Sequence, residues 1–166
     1  MASEENAMIP EIEISTREGV SGLKTIVFVC TGNTCRSPMA AGIFRVMLSR
    51  HGIGGIEVTS CGTGTFPGLP VSDHAVSAAA AYGADIAGHR SRPISQYLLD
   101  QGDLFVCMTA QQRNLLADFV PAEKLRVLAG GVRDPYGGTA EQYRACAAQI
   151  HSGLEALLKE VQEDEN

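Results

Sequence analysis

One short segment of the sequence combines a thiol, a guanidinium and two residues that favour tight loops. Cys30 and Arg36 enclose Gly32 and Asn33, and Ser37 follows directly. Glycine and asparagine tolerate positive φ, which lets consecutive backbone amides turn inward around a tetrahedral oxyanion. A nearby guanidinium and a helix N-terminus stabilise a thiolate at the base of such a loop. We therefore predict a nucleophile, Cys30, beneath an anion site.

The side chains of this loop suggest how a bound phosphoryl group would be held. Arg36 presents a planar fork of donors that matches two phosphoryl oxygens, and the hydroxyl of Ser37 can donate to the thiolate. With the backbone amides included, the predicted phosphate-binding residues are Thr31, Gly32, Asn33, Thr34, Cys35, Arg36 and Ser37. The spacing alone leaves one alternative open, which is a buried core cysteine followed by an ordinary turn.

A buried strand and a helix must hold this loop in place. Residues 25–29 form a continuous, β-branched apolar run, which is typical of a strand covered on both faces of a parallel sheet. Pro38 occupies a predicted first helical position, and apolar residues at helical spacing predict a helix over 39–49. The loop would then lie where anions bind, at the carboxyl end of a strand and the N-terminus of a helix.

The rest of the chain alternates between strand and helix patterns. Strands are predicted at 56–60, 103–108 and 125–128, and helices at 72–82 with Ser72 as N-cap, 95–101, 110–119 and 139–162. This alternation predicts an α/β fold, a three-layer doubly wound sheet of four parallel strands with helices on both faces. Residues 23–166 are expected to form a single domain. The polar, unpatterned residues 1–22 are expected to be a flexible tail or extension.

Composition restricts the class of function. The chain has 166 residues and a formal net charge of -6, so nucleic acid and anionic membrane surfaces are not expected as main partners. No apolar run approaches the roughly 20 residues of a membrane span. The five cysteines are odd in number and lack both the paired spacings of a zinc site and the density of a secreted disulfide scaffold. We expect a cytoplasmic monomer with reduced thiols.

No metal or other cofactor is expected. The four histidines, which are His51, His74, His89 and His151, are scattered without the spacing of metal ligands. Activity should therefore survive a chelator.

The nonapeptide 30–38 resembles the phosphate-binding loop of the low-molecular-weight protein tyrosine phosphatases, whose relatives include bacterial protein arginine phosphatases and some arsenate reductases. The likeness covers nearly all of residues 24–160 and includes Ser60-Cys61-Gly62-Thr63, His89-Arg90-Ser91 and Asp134-Pro135-Tyr136. It implies a cysteine-dependent protein phosphatase, with a thiophosphate intermediate on Cys30.

The resemblance also assigns roles outside the loop. Asp134 matches the general acid, which protonates the leaving atom and then deprotonates the hydrolytic water. Ser60 and His89 match positions that hydrogen-bond with Asn33 and support the loop, to which Ser37 also contributes. Taken alone, Asp134 before a proline is typical of a turn, and His89 is typical of a surface histidine.

Two residues bear on the phosphorylated group that is accepted. Thr34 stands where tyrosine-specific members usually carry a bulky aliphatic residue and arginine phosphatases carry threonine, so the resemblance implies phosphoarginine as the preferred substrate. Tyr136 is expected to form a pocket wall, and Asp85 is a candidate partner for a substrate guanidinium.

Three alternatives remain at this point. A phosphotyrosine phosphatase would use the same Cys30, Arg36 and Asp134. An arsenate reductase would need a further pair of cysteines in a mobile segment. A non-enzymatic phosphate-binding module would have no need of the thiol.

Cys35 is a candidate redox partner of Cys30. It lies five residues after the nucleophile in the same loop. It could capture an oxidised Cys30 as a disulfide and prevent irreversible over-oxidation. A packed, inert thiol is the alternative.

Overall fold

The computed structural model describes residues 22–165. Its sheet has four strands, which are β1 Thr25–Cys30, β2 Glu57–Gly62, β3 Leu104–Cys107 and β4 Leu125–Val127. All four are parallel, and their order in the sheet is β2-β1-β3-β4. The predicted four-stranded parallel sheet is confirmed, and β1, which ends at Cys30, is one of its two inner strands.

Five α-helices lie between and after the strands. They are α1 Arg36–Arg50, α2 Asp73–Ala80, α3 Gln96–Gln101, α4 Ala110–Leu116 and α5 Ala140–Glu165. Short 3-10 turns at Ala122–Lys124 and Leu128–Gly130 flank β4. The predicted N-cap of α2 is present, because Ser72 Oγ accepts a hydrogen bond from the Ala75 amide at 3.2 Å.

The side chains of β1 explain why its sequence is apolar without interruption. Ile26 and Phe28 belong to the larger core with α1, α2 and α5, whereas Val27 and Val29 belong to a smaller core with α3 and α4. All four side chains are fully buried. The sheet is therefore covered on both faces, and the predicted three layers are confirmed.

Helix α1 begins earlier than predicted. It starts at Arg36, which places Pro38 at the third helical position instead of the first. The amides of a helix's first turn have no intrahelical acceptor, so the missing N–H of Pro38 is no loss there. As a result Arg36 itself stands in the first turn of α1, next to the loop.

The predicted tail, residues 1–22, lies outside the described residues except for residue 22. Within residues 22–165, no helix has both the length and the apolar character needed to cross a membrane.

Candidate active site

The loop between β1 and α1 is closed by Asn33. This residue has φ of 57°, in the left-handed region, which asparagine tolerates better than most residues. Its backbone amide donates to Cys30 Sγ at 3.2 Å. The loop therefore curls over the thiol at the end of β1.

Every polar group of the Asn33 side chain is used to hold this conformation. Nδ2 donates to Ser37 Oγ at 2.8 Å and to Ser60 Oγ at 3.0 Å. Oδ1 accepts from the Arg92 amide at 2.9 Å, and the Asn33 carbonyl lies 2.9 Å from His89 Nε2. Asn33 is fully buried, so these bonds are protected from water and stabilise the positive φ. The structure thus brings Ser60 and His89 to Asn33, and adds Arg92, whose backbone contribution has no signal in the sequence.

Ser37 contacts the thiol directly. Its Oγ lies 2.9 Å from Cys30 Sγ. Because this oxygen accepts from Asn33 Nδ2, its own proton can go to the sulfur, which lies closer than the other acceptor, the Cys61 carbonyl at 3.5 Å. Ser37 is fully buried and does not line the cavity above Cys30, so its hydroxyl faces the sulfur, and its part in phosphate binding stays a prediction.

His89 supports the loop as a neutral ring. Burial lowers the pKa of His89, and the positive charges of Arg45, Arg92 and Arg90 lower it further, against the opposing effect of its bond to the Asn33 carbonyl. The ring is therefore uncharged at neutral pH. For Nε2 to donate to that carbonyl, the neutral ring must carry its proton on Nε2.

Arg36 connects the loop with the segment that carries Asp134. Its side chain is buried, and its Nη1 donates to the Val132 carbonyl at 2.9 Å. Nη2 lies 3.6 Å from Asp134 Oδ2. The Asp134 side chain is 54% exposed, so its carboxylate is held near the guanidinium and remains open to a ligand.

A cavity of about 290 Å³ opens above the thiol. Its lining comprises Cys30, Thr31, Gly32, Asn33, Thr34, Cys35, Arg36, Gly64, Thr65, Phe66, Leu69, Asp134 and Tyr136. Phe66 and Tyr136 are 76% and 77% exposed and thus stand free at its rim. The structure therefore collects the predicted nucleophile, phosphate clamp and general acid around one space. Phe66 and Leu69 were not predicted, since isolated apolar residues in a turn-rich stretch carry no periodic signal.

The comparison with protein families is decisive. Residues 25–166 match the family described as low molecular weight phosphotyrosine protein phosphatase. The chain belongs to this family. The resemblance predicted from the loop and the three further motifs is confirmed.

Relatives in this phosphatase family differ in their named activities. A protein-arginine-phosphatase of Bacillus subtilis is 34% identical over 149 residues, which cover 84% of this chain and 97% of that protein. A probable low molecular weight protein-tyrosine-phosphatase, EpsP of Ralstonia nicotianae, is 31% identical over 145 residues, with 84% and 97% covered. A glutaredoxin arsenate reductase of Synechocystis is 30% identical over 139 residues, with 84% and 99% covered.

Solved phosphatase structures share the fold. The YwlE arginine phosphatase, in a cysteine-to-serine variant with a phosphorylated active site serine, superposes with a TM-score of 0.78 at 32% identity. The match covers 84% of this chain and 97% of that one.

Gln112 is a further residue of this phosphatase's site that the sequence did not indicate. It is 2% exposed, and its Oε1 accepts from the amides of Met108 and Thr109, both at 2.9 Å. Its Nε2 donates to Thr31 Oγ1 at 3.1 Å. Thr109 and Gln112 form a capping box, which the sequence pattern permits, but the reach to Thr31 depends on packing. Gln112 thereby ties the start of α4 to the loop between β1 and α1.

We expect Thr31→Val to lower kcat/KM about ten-fold, because it leaves Gln112 Nε2 buried without an acceptor and frees one side of the loop. Thr31→Ser keeps the acceptor and should stay within about three-fold of the parent. Steady-state kinetics on an aryl phosphate measures both. Gln112→Met also removes the acceptor of the Met108 and Thr109 amides, so Gln112→Met combined with Thr31→Val should be little worse than Gln112→Met alone; full additivity of the two losses would show that the bond does not position the loop.

Three further thiols of the phosphatase lie away from the loop. All five cysteines are free and buried. Burial raises the pKa of Cys61, Cys107 and Cys146 to about 12 in each case, so these three stay protonated at neutral pH.

Cys35 packs against a tyrosine distant in sequence. Its Sγ lies 3.3 Å from Tyr143 Oη and 3.8 Å from Thr34 Oγ1. Burial, followed by the hydrogen bond with Cys35, raises the pKa of Tyr143 to about 12, so the phenol keeps its proton. Cys35 thus lies in the loop, lines the cavity and is fixed from behind by α5.

Asp85 does not line the cavity above Cys30. It lines a separate surface depression with Val76, Ala80, Gly83 and Ala84, and its Oδ1 accepts from the Ala87 amide at 3.1 Å. The idea that Asp85 pairs with a substrate guanidinium is therefore not supported by its position.

Among residues 22–165, no three His, Cys, Asp or Glu side chains are grouped so that they could hold a metal ion.

Proposed function

We propose that this family member hydrolyses phosphoarginine in proteins, with Cys30 as nucleophile, Arg36 as phosphate clamp and Asp134 as general acid. The observation that carries the proposal is the shared cavity, which is lined by all three residues and by the curled loop. Relatives named protein-arginine-phosphatase support the choice of phosphorylated residue.

In the first step, Cys30 Sγ attacks phosphorus while the loop amides and Arg36 bind the nonbridging oxygens. The P–S bond forms as the P–N bond to the guanidine breaks. Protonated Asp134 delivers its proton to the leaving nitrogen, which would otherwise depart poorly. The products of this step are arginine and a thiophosphate on Cys30.

In the second step, Asp134 is a carboxylate and takes a proton from water. The resulting oxygen attacks phosphorus, and the P–S bond breaks to release inorganic phosphate. Ser37 Oγ, which lies 2.9 Å from the sulfur, donates to the departing thiolate. The phosphorylated serine in the variant of the YwlE arginine phosphatase supports phosphoryl transfer to the side chain at this position.

A specific observation favours phosphotyrosine as the second candidate substrate. Phe66, Leu69 and Tyr136 place exposed apolar surface at the mouth of the cavity, where a phenyl ring could pack. Thr34 lines the same cavity and offers a hydroxyl and a short branch, which suit a planar, polar guanidine better than a ring. The identity of the residue at position 34 is therefore the test of preference.

We expect the parent to prefer a phosphoarginine protein over a phosphotyrosine peptide by about ten-fold or more in kcat/KM, a transition-state difference of about 1.4 kcal/mol. Thr34→Ile should lower turnover of the phosphoarginine protein and raise turnover of the phosphotyrosine peptide. Phosphate release by both variants, with Cys30→Ser as the blank, measures this. Preference of the parent for phosphotyrosine would make the protein a tyrosine phosphatase, and absence of Cys30-dependent turnover of either would refute a phosphatase.

The described thiols support hydrolysis over arsenate reduction. Reduction would require two further reactive cysteines to accept the oxidation. Cys61, Cys107 and Cys146 are buried and protonated, and each lies in a strand or helix.

We further propose that Cys35 protects Cys30 during oxidation. A peroxide converts the Cys30 thiolate to a sulfenic acid; the Cys35 thiol then displaces water from it and forms a disulfide, which a thiol reductant reopens. Both residues line the same cavity.

Cys35→Ser should lose activity irreversibly at least about three-fold faster than the parent under peroxide, since sulfenic acid without a partner proceeds to sulfinic acid. The fraction of activity restored by dithiothreitol is the measurement. Cys146→Ser serves as the control for loss of a buried thiol. Equal recovery in the parent and Cys35→Ser would show that Cys35 is inert.

The proposed substrate is a phosphorylated protein, bound by a single chain. The five free thiols support a reducing compartment, the cytoplasm.

A further inference from the structure

A second cavity, of about 510 Å³, adjoins the cavity above Cys30, which we call the catalytic cavity. It is lined by residues 133–138, which form one wall, and by Gln142, Ala145, Cys146 and Gln149 of α5. Two of its lining residues, Asp134 and Tyr136, also line the catalytic cavity. A molecule that fills the catalytic cavity therefore has the second cavity directly across these two side chains.

Arg133 brings a positive charge into the second cavity. The exposed Arg133 side chain forms no ion pair with any carboxylate of residues 22–165. The two glutamines are oriented by the protein itself, since Gln142 Oε1 accepts from the Thr139 amide at 2.8 Å and Gln149 Nε2 donates to the Gly131 carbonyl at 2.9 Å. Asp134 lies beside Arg36. The cavity thus offers a guanidinium to an acidic group.

The second cavity provides more room than an enzyme that bound only a phosphorylated side chain would require. Its volume exceeds the roughly 290 Å³ of the catalytic cavity and lies in the range of protein ligand sites. A side chain seated over Cys30 leaves its own backbone at the rim, and the neighbouring residues of that chain must continue outward. The shared wall of Asp134 and Tyr136 places the second cavity on such a path.

We propose that the second cavity binds the substrate protein beside its phosphorylated residue, and that Arg133 selects an acidic side chain there. This inference rests on the proposed phosphatase function and adds a sequence preference to it. A small phosphate ester would occupy only the catalytic cavity. Peptide and small-molecule substrates therefore separate the two sites.

Ala145→Phe tests the cavity by filling it. Ala145 is an exposed residue of α5 that lines the cavity, whereas Ala148, exposed on the same helix, does not line it. Ala145→Phe should lower kcat/KM for a phosphopeptide about ten-fold. The kcat/KM for p-nitrophenyl phosphate should stay within about two-fold of the parent value. Ala148→Phe is the matched control and should leave both substrates unchanged.

Arg133→Gln tests the charge. Two phosphopeptides that differ only by glutamate or glutamine beside the phosphorylated residue are compared. Arg133→Gln should lower kcat/KM about three-fold for the glutamate peptide and leave the glutamine peptide unchanged, since an exposed ion pair contributes modestly. Arg144→Gln, which removes an exposed cation outside the cavity, should affect neither peptide.

The outcomes separate this inference from the proposed function. If Ala145→Phe lowers peptide and p-nitrophenyl phosphate turnover equally, or changes neither, the cavity is not a substrate site. If Arg133→Gln affects both peptides alike, the preference for an acidic residue is wrong. If the parent shows no Cys30-dependent turnover at all, the proposed function fails, and fluorescence anisotropy of the same phosphopeptides on parent and Ala145→Phe still decides whether the cavity binds them.

Discussion

We expect Cys30→Ser to lower kcat by about 10⁴-fold or more, because both proposed chemical steps pass through the Cys30 sulfur. The surroundings of this atom suit a thiolate, since the Asn33 amide lies 3.2 Å away and Ser37 Oγ 2.9 Å away. A serine hydroxyl keeps its proton under the same conditions and is a far weaker nucleophile. Phosphate release under saturating substrate measures the loss.

The control for the Cys30 experiment removes a thiol elsewhere. Cys107 is fully buried at the end of β3, and burial raises its pKa to about 12. Cys107→Ala should retain kcat within about two-fold, whatever its modest cost in stability. Retention of more than a tenth of the parent activity by Cys30→Ser would contradict the assignment of the nucleophile.

Asp134→Asn should lower kcat by about 10²-fold to 10⁴-fold on phosphoarginine or phosphotyrosine, since asparagine has no proton to give to the leaving atom. Formation of the thiophosphate is affected far less with p-nitrophenyl phosphate, whose leaving group departs without protonation. Hydrolysis of the thiophosphate still lacks the Asp134 carboxylate as general base, so a burst of nitrophenol should precede slow turnover. Rapid-mixing kinetics resolves the burst, and intact-mass measurement should show one phosphoryl group on Cys30.

Asp85→Asn is a matched control, because Asp85 is an exposed carboxylate outside the cavity. It should leave both substrates unchanged. An equal loss on all substrates in Asp134→Asn, with no burst, would mean that Asp134 shapes the cavity and does not transfer a proton.

Features that are local in the chain were predictable from it. The continuous apolar run of β1 follows from burial on both faces, and the Ser72 cap follows from a side chain that bonds three residues ahead. The loop from Cys30 to Arg36 is likewise contiguous, so its residue types alone indicate an anion site. The start of α1 was misplaced by the expectation that Pro38 begins a helix, although proline is equally suited to its third position.

Support of the loop could not be derived from local pattern. Ser60, His89 and Arg92 reach Asn33 from 27, 56 and 59 residues away. The resemblance indicated the first two, because a family motif carries tertiary information that spacing lacks. It did not indicate Arg92, which contributes a backbone amide that any residue type other than proline could supply.

The sequence by itself determined the α/β class and the order of its elements, and it indicated the candidate nucleophile with its predicted anion loop, because these depend on neighbours along the chain and on short periodicities. Only the tertiary structure decided the bond from Gln112 to Thr31, which spans 81 residues, and the placement of Tyr143 behind Cys35, which spans 108. It also decided that the catalytic cavity and the second cavity lie side by side, with Asp134 and Tyr136 in the lining of both. Such contacts arise when helices pack on a sheet, and no residue type marks its distant partner in advance.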